Sequence, residues 1–317
     1  MRRFSMIVVD AHCDTITTIM EENEQLKENS CHIDLKRLKK YDGFVQFFAA
    51  FISPEYAKMG ALRRATDIID RFYNEIEINS NDIMLCCSYN DIFNAVQSKK
   101  VAAILSIEGG EALEGSISAL RILYRLGVRA ITLTWNYRNE IADGVADAET
   151  RGGLTPFGRD VVREMNKLGM LVDVSHLSEA GFWDVIQKTS EPIIASHSNA
   201  KKICGHRRNL TDEQLLALKK NGGVTGINLC PDFICSEGKA KMKNVIEHIE
   251  YIAALTGEDT LGLGADYDGI DETPEKLEGV QCIEGLFNEL LMLNYSEAFI
   301  KKLAGENFLR VIKKVLK

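Results

Sequence analysis

His12 and Asp14 sit two residues apart in the run Asp10-Ala11-His12-Cys13-Asp14, directly after the apolar segment Met6-Ile7-Val8-Val9. Side chains two apart on an extended chain point to the same side. An imidazole and a carboxylate can therefore meet at one point where a strand runs out. The same chemistry recurs after later apolar runs: Glu108 follows residues 102–107, His176 follows 170–175, and His197 follows 193–196. Asp266 follows residues 261–265, and Trp135-Asn136 ends the run that begins at residue 130. Three of the six histidines in the chain occupy such positions.

Imidazole nitrogens and carboxylate oxygens suit zinc, and a shared carboxylate can bridge two ions. Three histidines, one aspartate and one glutamate supply about the right donors for a two-metal centre completed by a bridging water. Two cations roughly 3.5–4 Å apart lower the pKa of that water and polarise a substrate carbonyl. Asp266 could then take the proton and return it to a leaving amine. A lone histidine after a strand is more often a satisfied polar residue. Five or six acids and imidazoles on one rim are different, because burying each unpaired costs on the order of several kcal/mol and a cation is the simplest compensation. His32, His206 and His248 lack this context and are expected to be surface or core residues.

These side chains need a scaffold that brings strand ends together. Eight short apolar runs recur, at residues 6–10, 44–51, 102–107, 130–135, 170–175, 193–196, 224–229 and 261–265. Their near-continuous apolar character, with Val and Ile enriched in several, fits strands covered on both faces. Amphipathic segments between them predict helices over 60–76, 116–126, 156–168, 178–187, 212–221 and 241–256. Thr211 and Gln214 form a capping-box pattern, and Gly127, Gly169 and Gly222 stand just past helix ends. Eight β/α alternations predict one (β/α)8 barrel over 1–317, of the metal-dependent hydrolase type, whose active site is built at the C-terminal mouth. The segment 21–42 is polar and reads as a helix and excursion after the first strand. Residues 296–317 read as an amphipathic helix broken or bent near Gly305.

Composition narrows the function. A net charge of −8 with interspersed signs argues against nucleic acid as a main partner. No apolar stretch approaches the roughly 20 residues needed to span a bilayer, so no membrane partner is expected. Met1-Arg2-Arg3-Phe4 is basic, yet no apolar region of signal-peptide length follows it. A cytoplasmic location is expected, with the eight cysteines reduced and mostly buried. Cys13 should point away from its neighbouring ligands. Self-association as a homodimer is left open.

Weaker signals keep two readings each. Gly262-Leu263-Gly264 lacks the third glycine of a nucleotide loop and fits relief of crowding in a strand. Asp173 could orient a ligand or cap a turn. Arg207-Arg208 could grip a substrate carboxylate bidentately or make a surface ion pair.

Several segments together resemble the membrane (renal) dipeptidase family of metallopeptidases. They are Asp10–Asp14, Ile107-Glu108-Gly109-Gly110, Leu171-Val172-Asp173-Val174-Ser175-His176 and Ser196-His197-Ser198-Asn199-Ala200. Arg207-Arg208-Asn209, Gly264-Ala265-Asp266-Tyr267-Asp268-Gly269 and Asn307-Phe308-Leu309-Arg310-Val311 continue the match in order. The resemblance implies a barrel with two Zn2+ per chain, bridged by Glu108 and a water or hydroxide. His12, Asp14 and Glu108 would hold one ion, and Glu108, His176 and His197 the other. Arg208 would grip the substrate's C-terminal carboxylate, and Asp266 would handle the proton. Mammalian members carry a substrate-contacting histidine in a Leu-Thr-His run, where this chain reads Leu133-Thr134-Trp135-Asn136. The Trp135 indole N–H or the Asn136 amide could still donate a hydrogen bond to substrate. The expected activity is hydrolysis of small dipeptides, with tolerance of a C-terminal D-residue. An N-acyl-amino-acid deacylase or another C–N hydrolase on the same barrel is the alternative, and a non-catalytic metal-binding protein the more distant one.

Overall fold

Nine parallel strands form the framework of the computed structural model, which describes residues 6–317; the basic run Met1–Phe4 lies outside the described residues. They are β1 (Ile7–Cys13), β2 (Gly43–Phe51), β3 (Ile83–Leu85), β4 (Val101–Glu108), β5 (Val128–Thr132), β6 (Leu171–Asp173), β7 (Ile194–Ala195), β8 (Val224–Ile227) and β9 (Leu261–Leu263). Eight of them close into a barrel in the order β1-β2-β4-β5-β6-β7-β8-β9, with β9 returning to β1 through Asp10 and Leu263. Each of the eight apolar runs of the sequence supplies one barrel strand. The fold is the (β/α)8 barrel.

β3 is the addition. It pairs only with the start of β4, Ile83 opposite Val101 and Leu85 opposite Ala103, while the later part of β4 pairs with β5. Three residues give no periodicity to read, so this strand was not foreseen. The helix Tyr89–Gln97 that follows was also missed, although Ser88 and Asp91 form a full capping box at its start. The expected helices appear with small shifts at their ends, as Ala61–Ile78, Ile117–Arg125, Pro156–Leu168, Glu179–Lys188, Asp212–Asn221 and Met242–Thr256.

The barrel is filled rather than hollow. Val45, Phe47, Ile104, Leu171 and Val224 form one buried cluster with Phe308, Val311 and Ile312 from the C-terminal helix. That helix is Asn307–Val315, and it is joined to Glu297–Lys301 by a π-helical turn at Lys302–Glu306, the break expected near Gly305. A Cβ on Gly305 would lie 2.4 Å from the Ile7 carbonyl oxygen, so the turn can approach β1 only with glycine there. Gly262 works likewise in β9, where a Cβ would meet the Phe308 ring at 2.3 Å.

The helix after β1 is Thr15–Glu21, which ends where the polar segment 21–42 begins rather than lying within it; the segment itself holds only the short helix Leu35–Leu38, in an excursion pinned by Asp268. Asp268 accepts from the His32 backbone N–H at 2.6 Å and from the Thr15 hydroxyl at 2.6 Å. All eight cysteines are free, but only Cys13, Cys86 and Cys204 are buried; the other five are half-buried, which corrects the expectation that most would lie inside. Among the described residues no helix is long and apolar enough to cross a membrane.

Candidate metal centre

β1 does not reach the mouth as a regular strand. Asp10 pairs with Gln46 and Cys13 with Phe48, so three steps on β1 match two on β2. The resulting bulge re-aims the chain. Asp14 has already left the strand and stands before the first helix with φ −100° and ψ 12°. The two side chains do meet at one point, but through this bulge rather than by simple alternation. Cys13, as expected, turns outward into the helix-facing core.

The five expected ligands converge. His12 Nε2 lies 3.3 Å from Asp14 Oδ2 and 3.5 Å from Glu108 Oε2. His176 Nε2 lies 2.9 Å from Glu108 Oε1 and 2.9 Å from His197 Nε2, which is itself 3.5 Å from Glu108 Oε1. The two oxygens of Glu108 thus face different partners. None of the five residues is more than 7% exposed.

Their protonation follows from this burial. Desolvation pushes the Glu108 carboxyl up to about 7 against the pull of His12, and raises Asp14 as well. His176 and His197 are driven well below the usual imidazole range by burial, with the positive charges of Arg208 and His12 adding to it. For His12, burial alone would lower the pKa, but the charges of Glu108 and Asp14 carry it well above the usual value. Without a cation, the group can reduce its charge only by placing protons between carboxylates and imidazole.

The donor set fits metal ions. The ligand atoms of His12, Glu108 and His197 lie within 4.8 Å of one another, as do those of His12, Asp14 and Asp266. Asp14 Oδ1 is buried with no hydrogen-bond partner. His176 Nδ1 donates to Asn136 Oδ1 at 2.9 Å, which leaves the Nε2 lone pair facing the centre. Neutral imidazole is the form a metal takes.

The remaining predicted residues divide. Asp266 lies at the centre, Oδ1 3.8 Å from His12 Nε2, and Oδ2 accepts from Asn228 Nδ2 at 2.8 Å. Trp135 and Asn136 line a mouth cavity of about 340 Å3 together with Phe51, Cys230, Phe233 and Ile270. The Trp135 ring sits 5.5 Å from Phe51 and 6.0 Å from His176. Asn136 spends its side-chain oxygen on His176. Arg208 stands to one side, lining a smaller neighbouring cavity of about 90 Å3 that shares His176. It is 4% exposed, its guanidinium donates to the His197 carbonyl and the Ser198 hydroxyl, its Nε has no hydrogen-bond partner, and it makes no ion pair among the described residues. Its guanidinium lies 5.4 Å from the Phe233 ring. Arg207, by contrast, is exposed.

Two features escaped the sequence reading. Asn228 lies inside the apolar run 224–229, so it was counted as strand rather than read as a strand-end polar group. His176 and Asp266 both hold φ of +64°, a conformation uncommon for residues with a side chain. The other histidines are as expected: His248 is buried, accepting from the Ala200 N–H and donating to the Ile234 carbonyl, and His206 stacks on Phe233.

Comparison with known proteins matches residues 3–317 to the family model of membrane dipeptidase, peptidase family M19. Dipeptidase tcpJ of Claviceps purpurea is 32% identical over 299 residues, covering 91% of this chain and 70% of its own. An uncharacterised protein of Klebsiella pneumoniae is 35% identical over 265 residues, 78% of this chain and 97% of its own. Among solved structures, a family M19 metallopeptidase described as dipeptidase AC superposes with a TM-score of 0.91 at 26% identity, covering 99% of both chains. A metallopeptidase of Rhodobacter sphaeroides, bound to a phosphinate mimic of the dipeptide L-Ala-D-Ala, gives 0.89 at 25% identity, covering 98% of this chain and all of its own.

Proposed function

This chain belongs to the membrane dipeptidase family of metallopeptidases, and from that premise we propose that it hydrolyses the single peptide bond of dipeptides at a two-zinc centre. The observation that carries the reading is the buried Glu108 carboxylate, with Oε2 towards His12 and Oε1 towards His176 and His197. His12, Asp14 and Glu108 would hold one ion, and Glu108, His176 and His197 the other. When bound, the ions supply a water of lowered pKa and polarise the scissile carbonyl.

The chain's own residues supply the rest. Arg208 binds the substrate's C-terminal carboxylate, supported by its burial without an ion-pair partner. A clamp at fixed distance from the metal centre admits one residue beyond the scissile bond, which selects dipeptides over longer chains. Asp266 takes a proton at Oδ1 and returns it to the departing amine, while Asn228 holds Oδ2. Trp135 and Phe51 form an aromatic wall that limits water at the mouth, and Trp135 or Asn136 contacts substrate. The Trp135 side chain cannot carry the charge that histidine offers in mammalian members. Tolerance of a C-terminal D-residue is supported by the L-Ala-D-Ala mimic held by the Rhodobacter sphaeroides relative. Residues 1–317 form one catalytic domain in this reading. Eight free thiols suit the reducing cytoplasm.

The test is a zinc-reconstituted assay on L-L and L-D dipeptides beside N-acyl-amino acids and tripeptides. Turnover of dipeptides alone supports the proposal. Preference for N-acyl-amino acids would assign a deacylase instead, and no hydrolysis of any amide would remove the catalytic reading.

A further inference from the structure

Asp173 sits at the end of β6, 2% exposed, and receives four hydrogen bonds from three residues, Thr132 at the end of β5, Ser175 just past β6 and Ser196 just past β7. Oδ1 accepts the backbone N–H groups of Ser175 at 3.0 Å and Ser196 at 2.9 Å. Oδ2 accepts the hydroxyls of Thr132 at 2.6 Å and Ser196 at 2.5 Å. Ser196 Oγ is also 2.7 Å from His197 Nδ1.

A carboxylate only accepts hydrogen bonds, and a serine hydroxyl has a single proton to give. Because the carboxylate cannot donate, the 2.5 Å contact must use the Ser196 proton, which is then unavailable to His197 Nδ1 at 2.7 Å or to Ser175 Oγ at 3.3 Å. Towards His197 the hydroxyl can then only accept. His197 Nδ1 must carry the ring proton, and the lone pair falls on Nε2, which faces Glu108 and His176. Reversing this tautomer would aim an N–H at the place where a cation should sit.

We propose that Asp173 is a positioning residue for the metal centre, fixing the His197 tautomer through the Ser196 hydroxyl and so setting the affinity of one of the two ions. The affected ion is the one shared by Glu108, His176 and His197. The ion shared by His12 and Asp14 lies outside the relay. His176 is oriented separately, by the neutral Asn136 amide, so the two histidines of one ion are aligned by different chemistry. This inference rests on the two-ion reading above.

The test titrates Zn2+ into metal-free protein against a chromogenic chelator, for wild type, Asp173→Asn, Ser196→Ala and Thr132→Val. Asp173→Asn disturbs four hydrogen bonds at once, so Ser196→Ala, which removes one hydroxyl, is the deciding variant. Orienting partners of this kind are worth about 10- to 100-fold in metal affinity. One of two binding steps should weaken by that factor in Ser196→Ala and in Asp173→Asn, with the other step unchanged. Thr132→Val removes a bond to Asp173 but not the relay, and both steps should stay at wild-type values. Imidazole 15N shifts of metal-free protein should show His197 protonated at Nδ1 in wild type and as a tautomer mixture in Ser196→Ala. Equal weakening of both steps, no weakening, or an unchanged tautomer would overturn the proposal. A wild-type curve with one step would overturn the two-ion reading instead, while the 15N shifts would still decide the relay.

Discussion

The Asn228 amide donates to Asp266 Oδ2 at 2.8 Å, and the other oxygen of that carboxylate, Oδ1, faces His12 Nε2 at 3.8 Å. One oxygen is anchored in the barrel and the other is presented to the site. Asp266 achieves this with φ of +64°, a conformation that costs a non-glycine residue on the order of 1–3 kcal/mol. The presented oxygen is what the first prediction addresses.

Asp266→Asn should retain the fold and two zinc ions while turnover falls by about 10²- to 10⁴-fold, the range for a lost general acid–base group. Zinc content and kcat are measured on the same preparation. Loss of an ion together with activity would make Asp266 a ligand, a role its place beside His12 and Asp14 also allows.

Glu108→Gln should lower zinc at both positions together, because its two oxygens face different histidine groups. Elemental analysis of the purified variant reads this directly. Full zinc content would rule out a shared carboxylate.

Arg208→Ala should weaken free dipeptides far more than their C-terminal amides. Two charge-assisted bonds to a carboxylate are lost, and a neutral amide never made them. The expected cost is about 1.5–3 kcal/mol, or roughly 10- to 100-fold in kcat/KM. Equal losses for acids and amides would mean that Arg208 contributes through packing on Phe233 and not as a clamp.

Gly269→Ala should impair the centre from outside it. A Cβ there would lie 2.2 Å from Asp14 Oδ2 and 2.7 Å from Asp266 Oδ1, so one carboxylate must move. Displacement of about 1 Å at a reacting group can cost on the order of 10²-fold in rate. Thermal unfolding of the metal-free variant should match wild type, while kcat/KM falls; unchanged kinetics would show that the loop yields instead.

The barrel was legible because continuous apolar runs and their spacing are local properties, and each run became a strand. The ligands were legible for a related reason: polar residues that end apolar runs stand out against them. What stayed hidden depends on partners distant in sequence. The β1 bulge exists only in register with β2, so nothing in Asp10–Asp14 announces it. The positive φ at His176 and Asp266 is imposed by surrounding packing. Asn228 was masked by its apolar neighbours, and the contacts of Asp173 depend on the position of Ser196, just past the end of the next strand. Asp173 binds the Ser175 N–H of its own turn and also accepts from the Ser196 hydroxyl beside His197, so its contacts are compatible with both readings.

The buried carboxylate of Asp10 ties the first strand to the last. Its Oδ1 accepts from the Ala265 N–H at 2.8 Å, just past the end of β9. On a ribosome, β1 leaves the exit tunnel long before β9 exists, and until then neither this bond nor barrel closure is available. The nascent chain carries His12 and Asp14 through most of its synthesis without the residues that complete the site around them. A site whose residues span 12 to 266 can therefore be assembled only late, once β9 has formed and closed on β1.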